Sequence, residues 1–541
     1  MRMWIKNAVI VDGSGEDRFL GSLLLDQDRI VRVISDEHSN EKLEEELTDA
    51  DRILDAAGLI CAPGFIDTHS HSDLKVLSDP TLFPKVFQGI TSEVLGQDGI
   101  SMAPLPLEFI TPWRKNLAGL DGEDENLDWT YQTTENYLAR IEAVRPALNE
   151  AYLLPHGNVR MEAMGLAGRA ATSAEIQKMC EITRREMEAG CLGLSSGLIY
   201  MPCAYSHTEE IIEMCKVVKE YGGTFVVHQR SEADAILPSM DEIIRIGMES
   251  GVDVHFSHFK VCGKNNWDKL PAMLKKLEIA EKAGIHVTLD QYPYVAGSTM
   301  LGVILPPWAH DGGTDRLLER LANEHERDKM KKDIREGIED WDNFIEFAGT
   351  DGIFITSVTS EKNSDAIGKS LDELAQMRNR SALDAAFDLL LEEKNAVGMV
   401  DFYGTEDHVK EIMGRPEMNL CTDGLLSGKP HPRAYGAFPR MIGKYVRDEN
   451  VMSLETAVYK MTKRAADSLK ISERGLIREG YYADLTIFDY ETIRDMGDFT
   501  VPEQFPEGIV HVFVNGEMIV ENGIFTDHRC GKVIRLHTAD K

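Results

Sequence analysis

The 541-residue sequence predicts an α/β fold, and more specifically a (β/α)8 (TIM-like) barrel. Short apolar runs alternate with segments of helical periodicity along the centre of the chain, which is typical of a parallel sheet built from strand–helix units. Eight units favour a closed barrel over an open doubly wound sheet, which requires no particular number. The eight runs lie at residues 59–66, 92–95, 151–154, 191–194, 224–227, 252–256, 286–289 and 418–421.

Both ends of the chain have a different, β-rich texture. Strand-like runs occur at residues 4–11, 21–25 and 29–34, followed by an acidic segment at 37–52 that we expect to be helical or loose. Similar runs return at 483–489 and 512–520, where Asn515-Gly516 is a hairpin signal. The ends therefore predict one small, discontinuous β-domain from residues 1–60 and 470–541, with the barrel at 61–469.

One interval is too long for a single strand–helix unit. About 130 residues separate Asp290 from Asp423, and a structureless loop of that length is uncommon in a compact domain. Charged helical stretches at 315–339 and 381–392 indicate an insertion with its own structure. We place it before the last barrel strand, at roughly 305–415, and expect it to cover the mouth of the barrel.

The charge balance limits the classes of partner. The chain has 58 basic and 91 acidic residues, for a net charge of −33, and such a surface repels nucleic acid and anionic membranes. Eight scattered cysteines without a CxxC pair indicate reduced thiols rather than a disulfide framework. With no apolar leader and no run of 18 apolar residues, the sequence predicts a soluble, cytoplasmic protein acting on a small molecule.

Polar residues that suit metal chemistry follow the predicted strands. His69 and His71 are two residues apart, so in an extended strand both imidazoles point to one face and can bind one metal ion. In a (β/α)8 barrel the chemistry lies at the carboxyl ends of the strands. The residues found there, besides this pair, are Asp98, His156, His228, His258, Lys260, Asp290, Tyr292 and Asp423.

Two further histidines have less defined expectations. His156 follows the third strand and either donates to an oxyanion or caps a turn. His255 is expected to face the surrounding helices.

Several longer motifs resemble those of a known family. They are PGFIDTHSHSD at 63–73, DQYPYVAGS at 290–298, HPRAYGAFPR at 431–440, and the tail at 514–535. The chain resembles the amidohydrolase superfamily and, within it, the D-aminoacylases (N-acyl-D-amino-acid deacylases). The resemblance implies a (β/α)8 barrel with a small β-sandwich from both termini. It also implies zinc-dependent hydrolysis of an N-acyl-D-amino acid to a D-amino acid and a carboxylate.

The resemblance also implies a ligand set. His69, His71 and Asp423 would surround one metal position, and His228 and His258 a second. D-aminoacylases complete the second position with a cysteine, whereas this chain has Asp98 there. A carboxylate is a harder donor than a thiolate and is able to bridge two ions, so we expect one or two divalent ions, Zn²⁺ or another.

Catalytic and binding roles follow from the same residues. Asp423 suits a general base that takes a proton from water and then passes it to the leaving nitrogen. An N-acyl amino acid also carries a carboxylate, for which Arg433 offers a planar fork and Lys260 a point charge. The resemblance adds Tyr292 and Ser298 to this group.

Other activities of the superfamily stay open as alternatives. They are a cyclic amidase of the dihydropyrimidinase or dihydroorotase type, and a dipeptidase of the isoaspartyl type. Those enzymes commonly use a carboxylated lysine on strand four, and residues 191–197 contain no lysine. A metal-binding protein without catalysis would not need Asp423, Lys260 and Arg433 together. D or L preference, the amino-acid side chain, the acyl group and the oligomeric state depend on pocket shape and surfaces rather than on these motifs.

Overall fold

The computed structural model describes residues 2–36, 50–122, 124, 126–339 and 341–536. The acidic segment expected to be helical or loose falls mostly at 37–49, outside the described residues. The strands, in chain order, are β1 (Arg2–Ile10), β2 (Phe19–Asp26), β3 (Arg29–Ser35), β4 (Arg52–Asp55), β5 (Ile60–Pro63), β6 (Phe65–Asp67), β7 (Ile90–Leu95), β8 (Asn149–Tyr152), β9 (Leu154–Pro155), β10 (Gly193–Gly197), β11 (Thr224–His228), β12 (Asp253–Phe256), β13 (Val287–Gln291), β14 (Ala296–Met300), β15 (Ile353–Ser357), β16 (Gly398–Phe402), β17 (Met418–Leu420), β18 (Leu485–Phe488), β19 (Ile509–Val514), β20 (Glu517–Glu521), β21 (Ile524–Phe525) and β22 (Val533–Ile534).

Helices separate these strands through the centre of the chain. They are α1 (Lys75–Ser78), α2 (Phe83–Val86), α3 (Ile110–Asp121), α4 (Thr134–Val144), α5 (His156–Met164), α6 (Ser173–Glu188), α7 (Thr208–Glu220), α8 (Ile236–Ser250), α9 (Leu270–Lys282), α10 (Thr314–Leu321), α11 (Glu324–Glu336), α12 (Phe344–Ala348), α13 (Leu371–Arg378), α14 (Ala382–Glu392), α15 (Glu406–Met413), α16 (Arg433–Arg440), α17 (Leu454–Met461) and α18 (Lys463–Ser468). A π-helical segment, Met441–Asp448, continues α16. The start of α6 shows why these helices begin where they do, since Thr172 and Glu175 form a capping box there.

The central strands pair in parallel and in chain order. One sheet contains β6, β7 and β8 with β22 at its edge, and a second runs from β9 through β10, β11, β12 and β13 to β17. The last strand returns to the first, because the Asp423 N–H donates to the His69 carbonyl at 2.8 Å and Ser70 forms a parallel bridge with Gly424. All eight predicted runs coincide with strands, and the predicted α/β class is confirmed.

Strands from both ends of the chain share one nine-stranded sheet. Its order is β21-β20-β19-β18-β5-β1-β2-β3, with β4 paired to β1. The predicted turn between β19 and β20 is present, and Asn515 and Gly516 both have positive φ, at 48° and 79°. Asn and Gly tolerate this left-handed conformation best, which is why Asn-Gly marks such hairpins.

The long interval before the last central strand has its own architecture. β14, β15 and β16 form an antiparallel three-stranded sheet. In sequence, α10 to α12 lie between β14 and β15, and α13 and α14 lie between β15 and β16. A separate hydrophobic core, which includes Leu317, Phe387 and Met399, holds this segment together.

The inner face of the parallel strands carries a layer of apolar side chains. Ile66, Val94, Leu192 and Val226 belong to one buried cluster there. His255 is paired with Val226 in register, so it shares that inner face, and the expectation that it faces the helices is wrong. Residues two apart in a strand point to the same face of the sheet, so the side chains of His255 and Ser257 lie on one face rather than on opposite faces.

The described helices and the cysteines bear on the predicted absence of a membrane span and of disulfides. None of the helices in the described ranges combines the length and apolarity that crossing a lipid bilayer requires. All eight cysteines are free, and six of them are buried.

Candidate active site

The carboxyl ends of the parallel strands open into a cleft of about 500 Å³, counted with the space at its mouth. Nine of the ten residues predicted to bind metal or substrate line it. The tenth, His69, is fully buried, with its Nε2 atom 3.3 Å from Nε2 of His71. The structure therefore brings all ten together. The nine lining residues are His71, Asp98, His228, His258, Lys260, Tyr292, Ser298, Asp423 and Arg433.

One group of potential metal ligands joins the first and last strands. The Oδ1 atom of Asp423 lies 3.7 Å from Nε2 of His69 and 3.3 Å from Nε2 of His71. The three ligand atoms lie within 4.8 Å of one another. Two imidazoles and a carboxylate at this spacing suit a divalent ion.

Asp98 lies between that group and the two remaining histidines. Its Oδ1 atom is 3.6 Å from His69 and 3.7 Å from His258. Its Oδ2 atom is 3.6 Å from His71 and 4.0 Å from Nδ1 of His228. Each oxygen thus faces one histidine from each predicted metal position, which places the carboxylate between the two positions.

Several buried polar atoms of this group have no hydrogen-bond partner among the described residues. They are Nδ1 of His69, Oδ1 of Asp98 and Nε2 of His228. Buried polar atoms are nearly always paired, so the orphan atoms of Asp98 and His228 indicate a missing partner. Nδ1 of His69 lies on the other side of its ring, 4.0 Å from Oδ2 of Asp290. In addition, Nδ1 of His228 and Nε2 of His258 face each other at 2.9 Å. The donor set fits one or two metal ions.

Electrostatics favours ionised carboxylates at this centre. Burial opposes the ionisation of Asp423, but Arg433 and His69 outweigh it and hold the pKa of that carboxyl far below its usual range. Burial likewise opposes the ionisation of Asp98, but His69 and His258 outweigh it and hold the pKa of this carboxyl well below its usual range. Burial lowers the pKa of His228 to about 4, which keeps its imidazole neutral and able to bind a metal.

Three residues of the centre have unusual backbone conformations. Asp98, His258 and Asp423 have φ values of 54°, 35° and 47°. A non-glycine residue in this left-handed region costs of order 1–3 kcal/mol and persists only where the surroundings impose it. Such strain is concentrated at functional sites, and here it coincides with three of the predicted metal ligands.

A buried lysine connects the two chain segments that carry the first metal group. Lys85 is fully buried and donates to Asp67 at 2.6 Å, to Ser70 at 2.8 Å and to Thr422 at 2.6 Å. Asp67 lies two residues before His69, Ser70 lies between the two histidines, and Thr422 precedes Asp423. Lys85 therefore fixes the histidine pair relative to the last carboxylate.

The predicted substrate-binding residues lie next to the metal ligands. Arg433 is fully buried, with Nη1 2.9 Å from Oδ2 of Asp423 and its guanidinium 4.3 Å from the ring of Tyr292. Its Nη2 atom donates to the carbonyl of Ser298 at 3.1 Å. Lys260 Nζ lies 5.9 Å from the Tyr292 ring, so two cations border one aromatic side chain.

Glu232 is a member of the site that sequence reasoning did not find. Its carboxylate lies 2.7 Å from Nζ of Lys260, 3.2 Å from Nδ1 of His258 and 3.6 Å from Nε2 of His228. It therefore forms a third group of potential metal ligands with the two histidines. The available signal was its position four residues after His228, where the chain leaves the strand.

His156 does not face the cleft as an oxyanion donor would. Its Nδ1 atom is 2.9 Å from Oγ of Ser196, and its Nε2 atom is 2.8 Å from Oε1 of Glu210. Both ring nitrogens are engaged by buried side chains rather than by an oxyanion position, and these contacts are not those of a turn cap either.

Comparison with known proteins agrees with this geometry. Residues 52–257 and 366–520 match the Amidohydrolase family. A D-aminoacylase of Alcaligenes xylosoxydans xylosoxydans is 33% identical over 534 residues, covering 98% of this chain and 96% of that protein. The crystal structure of an N-acyl-D-glutamate deacylase of Bordetella bronchiseptica, with zinc and a phosphonate mimic of the tetrahedral intermediate, has a TM-score of 0.82 at 31% identity. A D-aminoacylase with a binuclear metal centre has a TM-score of 0.81 at 33% identity. Each alignment of structures covers 98% of this chain and 99% of the other.

Proposed function

The chain belongs to the amidohydrolase family, and we propose that it is a metal-dependent hydrolase that cleaves N-acyl-D-amino acids into a D-amino acid and a carboxylate. The observation that carries the proposal is the meeting of a histidine–aspartate ligand set with a buried guanidinium in one cleft. The preference for the D-isomer is adopted from the relatives, whose names specify it.

The donor set determines which ions the centre can hold. We assign His69, His71 and Asp423 to one divalent ion, and His228 and His258 to a second, with Asp98 between the two positions. Nitrogen and oxygen donors without a thiolate suit Zn²⁺ and also harder ions such as Mn²⁺. When bound, such an ion polarises the scissile carbonyl and lowers the pKa of a water molecule to about 7.

Asp423 has the geometry of a proton carrier. Its Oδ1 atom faces the histidine pair, while its Oδ2 atom faces Arg433 at 2.9 Å. Because the carboxylate is ionised at neutral pH, it accepts a proton from the attacking water. The protonated carboxyl group of Asp423 then delivers that proton to the amide nitrogen as the bond between this nitrogen and the acyl carbon breaks.

The substrate carboxylate has a binding site beside this carboxylate. Within the part of the chain that the structure describes, the Nε atom of Arg433 has no hydrogen-bond partner, and its Nη1 atom makes an ion pair but no aligned hydrogen bond. Both are available to a substrate carboxylate, which charge-assisted hydrogen bonds hold strongly. Lys260, Tyr292 and Ser298 border the same space and complete the proposed binding site.

We propose the finer architecture on the basis of the strand pairing. The eight parallel strands form a closed (β/α)8 barrel at 61–469, interrupted by the inserted segment at roughly 305–415. Residues 1–60 and 470–541 form a small β-sandwich, which the shared nine-stranded sheet supports. Eight unpaired cysteines and a net charge of −33 support a cytoplasmic enzyme with a small-molecule substrate and without nucleic-acid or membrane partners.

The cyclic amidase alternative has weaker support. The strand that would carry a carboxylated lysine, β10, has the sequence Gly-Leu-Ser-Ser-Gly. The position between the two metal groups is filled by Asp98 instead.

The test combines metal analysis with a substrate panel. Purified protein should contain one or two divalent ions, and it should release free amine from N-acetyl-D-amino acids more rapidly than from the L-isomers. Treatment with a chelator should abolish the release, and added Zn²⁺ or Mn²⁺ should restore it. Ring opening of dihydrouracil or cleavage of an isoaspartyl dipeptide, with no release of amine from the N-acetyl panel, would refute the proposal.

A further inference from the structure

The cleft contains two carboxylates that the mechanism does not use. Asp342 and Asp401 both line it, and both are more than nine-tenths buried, with exposed fractions of 7% and 3%. Within the described parts of the chain, neither has a Lys, Arg or His nitrogen within 4.0 Å. Buried carboxylates are normally paired, so two of them facing a cleft need an explanation.

Each cation of the cleft already faces one carboxylate of the protein. Lys260 is 2.7 Å from Glu232, and Arg433 is 2.9 Å from Asp423. Asp342 and Asp401 therefore add negative charge to the cleft that neither pair neutralises, although Lys260 and Arg433 both act on Asp401 electrostatically. We call Asp342 and Asp401 the wall carboxylates.

Asp401 lies immediately beside the proposed binding site for the substrate carboxylate. It is on β16, on the same face as Tyr403, and it is paired in register with Gly297 of β14. A Cβ atom on Gly297 would lie only 3.1 Å from Oδ1 of Asp401, so the glycine keeps the space in front of this carboxylate open. Ser298, one of the proposed substrate-binding residues, is the next residue after Gly297 in β14. Within the described chain, hydrogen bonding to the Asp401 carboxylate comes only from its own backbone.

Asp342 is fixed in place by the chain. Its Oδ1 atom accepts from the Ser231 hydroxyl and its Oδ2 atom from the Glu232 N–H, both at 2.6 Å. Phe344 and Phe347, whose rings are 4.7 Å apart, line the cleft next to it. Aromatic faces suit an alkyl chain, and a carboxylate suits a cationic group at its end.

Resting on the function proposed above, we propose that the preferred substrate carries a cationic side chain, as in N-acyl derivatives of D-lysine, D-ornithine or D-arginine. The wall carboxylates determine this specificity by pairing with the side-chain ammonium or guanidinium. An acidic side chain would meet like charges and be rejected. This chain would then differ from its relative that is an N-acyl-D-glutamate deacylase.

Burial effects agree with this assignment. Burial, against the opposing charges of Lys260 and Arg433, raises the pKa of Asp401 to about 7. Burial also raises the pKa of Asp342 to about 7. A bound cation would favour ionisation of both groups, which is the reciprocal of their favouring the cation.

The experiment compares two substrates of nearly equal size. We expect kcat/KM for N-acetyl-D-lysine to exceed that for N-acetyl-D-norleucine by about tenfold or more, with N-acetyl-D-glutamate slowest. The isosteric variant Asp401→Asn should lower the lysine-to-norleucine ratio by about tenfold. Asp342→Asn should lower the same ratio.

A matched control removes one negative charge elsewhere in the inserted segment. Asp328 has a side chain that is 78% exposed, and Asp328→Asn should leave the ratio unchanged. A wild-type ratio of one or less, or a ratio that Asp401→Asn and Asp342→Asn both leave intact, overturns the inference while leaving the proposed function in place. If no N-acetyl-D-amino acid is hydrolysed, the proposed function is refuted. Calorimetry with D-lysine and D-norleucine then decides the inference, which fails if D-lysine does not bind more tightly.

Discussion

Replacing Arg433 with lysine tests the proposed recognition of the substrate carboxylate. The guanidinium is fully buried and serves three neighbours, since it pairs with Asp423, donates to the Ser298 carbonyl and stacks on Tyr292. Lysine keeps the positive charge but presents a single compact ammonium. Arg433→Lys therefore removes the second donor direction while largely preserving the charge that acts on Asp423.

The size of the effect follows from the donors involved. In the wild-type structure Nε has no acceptor and Nη1 has no aligned one, so both are free to bind a substrate carboxylate. One lysine ammonium replaces at most one of these bonds. A hydrogen bond to a charged group contributes about 1.5–3 kcal/mol, so kcat/KM should fall by about 10-fold to 150-fold.

The assay compares substrates that contain or lack the carboxylate. Kinetics of wild type and Arg433→Lys are measured with N-acetyl-D-lysine and with N-acetylcadaverine, its decarboxylated analogue. The loss should appear with the first substrate and be absent, or much smaller, with the second. Equal losses with both would show that Arg433 acts only through Asp423, and the carboxylate assignment would be refuted. Metal content of the variant, measured in parallel, should match that of wild type.

Three further predictions concern the metal centre and its support. Asp423→Asn should lower kcat by about 100-fold or more, since general acid–base catalysis typically contributes 10²–10⁴-fold; substantial activity at normal metal content would contradict the proton-transfer role. Asp98→Asn should lower the number of divalent ions retained per chain, because a neutral amide is a poor bridging ligand; unchanged metal content would exclude the bridging assignment. Lys85→Met should cost about 3–5 kcal/mol of stability at pH 8 by leaving Asp67 and Glu93 unpaired in the interior. Burial lowers the pKa of Lys85, but Asp67 and Glu93 outweigh burial and raise this pKa above 10.5. The ion pairs of the wild type therefore persist throughout neutral pH and weaken only as the pH rises through the raised pKa. Urea unfolding of the wild type and the variant at pH 8 measures this deficit, and equal stability of the two proteins would contradict the reasoning.

The regular part of the fold could be predicted from the sequence because it repeats. Strand–helix units have a fixed periodicity, and each apolar run had to be a strand for its residues to be buried. Asn515-Gly516 was equally readable, because the turn requires two residues with positive φ. The error at His255 has a different origin, since it arose from applying the two-residue alternation in the wrong phase.

Parts of the site could be predicted for a related reason. His228 is the last residue of its strand, and His258 and Asp423 lie two and three residues beyond the ends of theirs. Parallel strands bring their carboxyl ends to one rim. Spacing along the chain therefore became proximity in space. Lys85 lacks this relation, since it lies on α2, and only the fold brings its ammonium to Thr422, 337 residues away.

The wall carboxylates show what sequence periodicity cannot reach. Asp342 precedes a short helix and Asp401 lies on an antiparallel strand, so neither occupies a strand-end position of the parallel sheets. They enter the cleft because the inserted segment folds over it around its own hydrophobic core. The reacting centre is thus built on repeated elements, whereas the side-chain pocket is built on a segment free to vary without disturbing them. Replacing Asp342 and Asp401 with other residues should therefore change which amino-acid side chain is accepted, while the metal centre and its proton carrier stay unchanged.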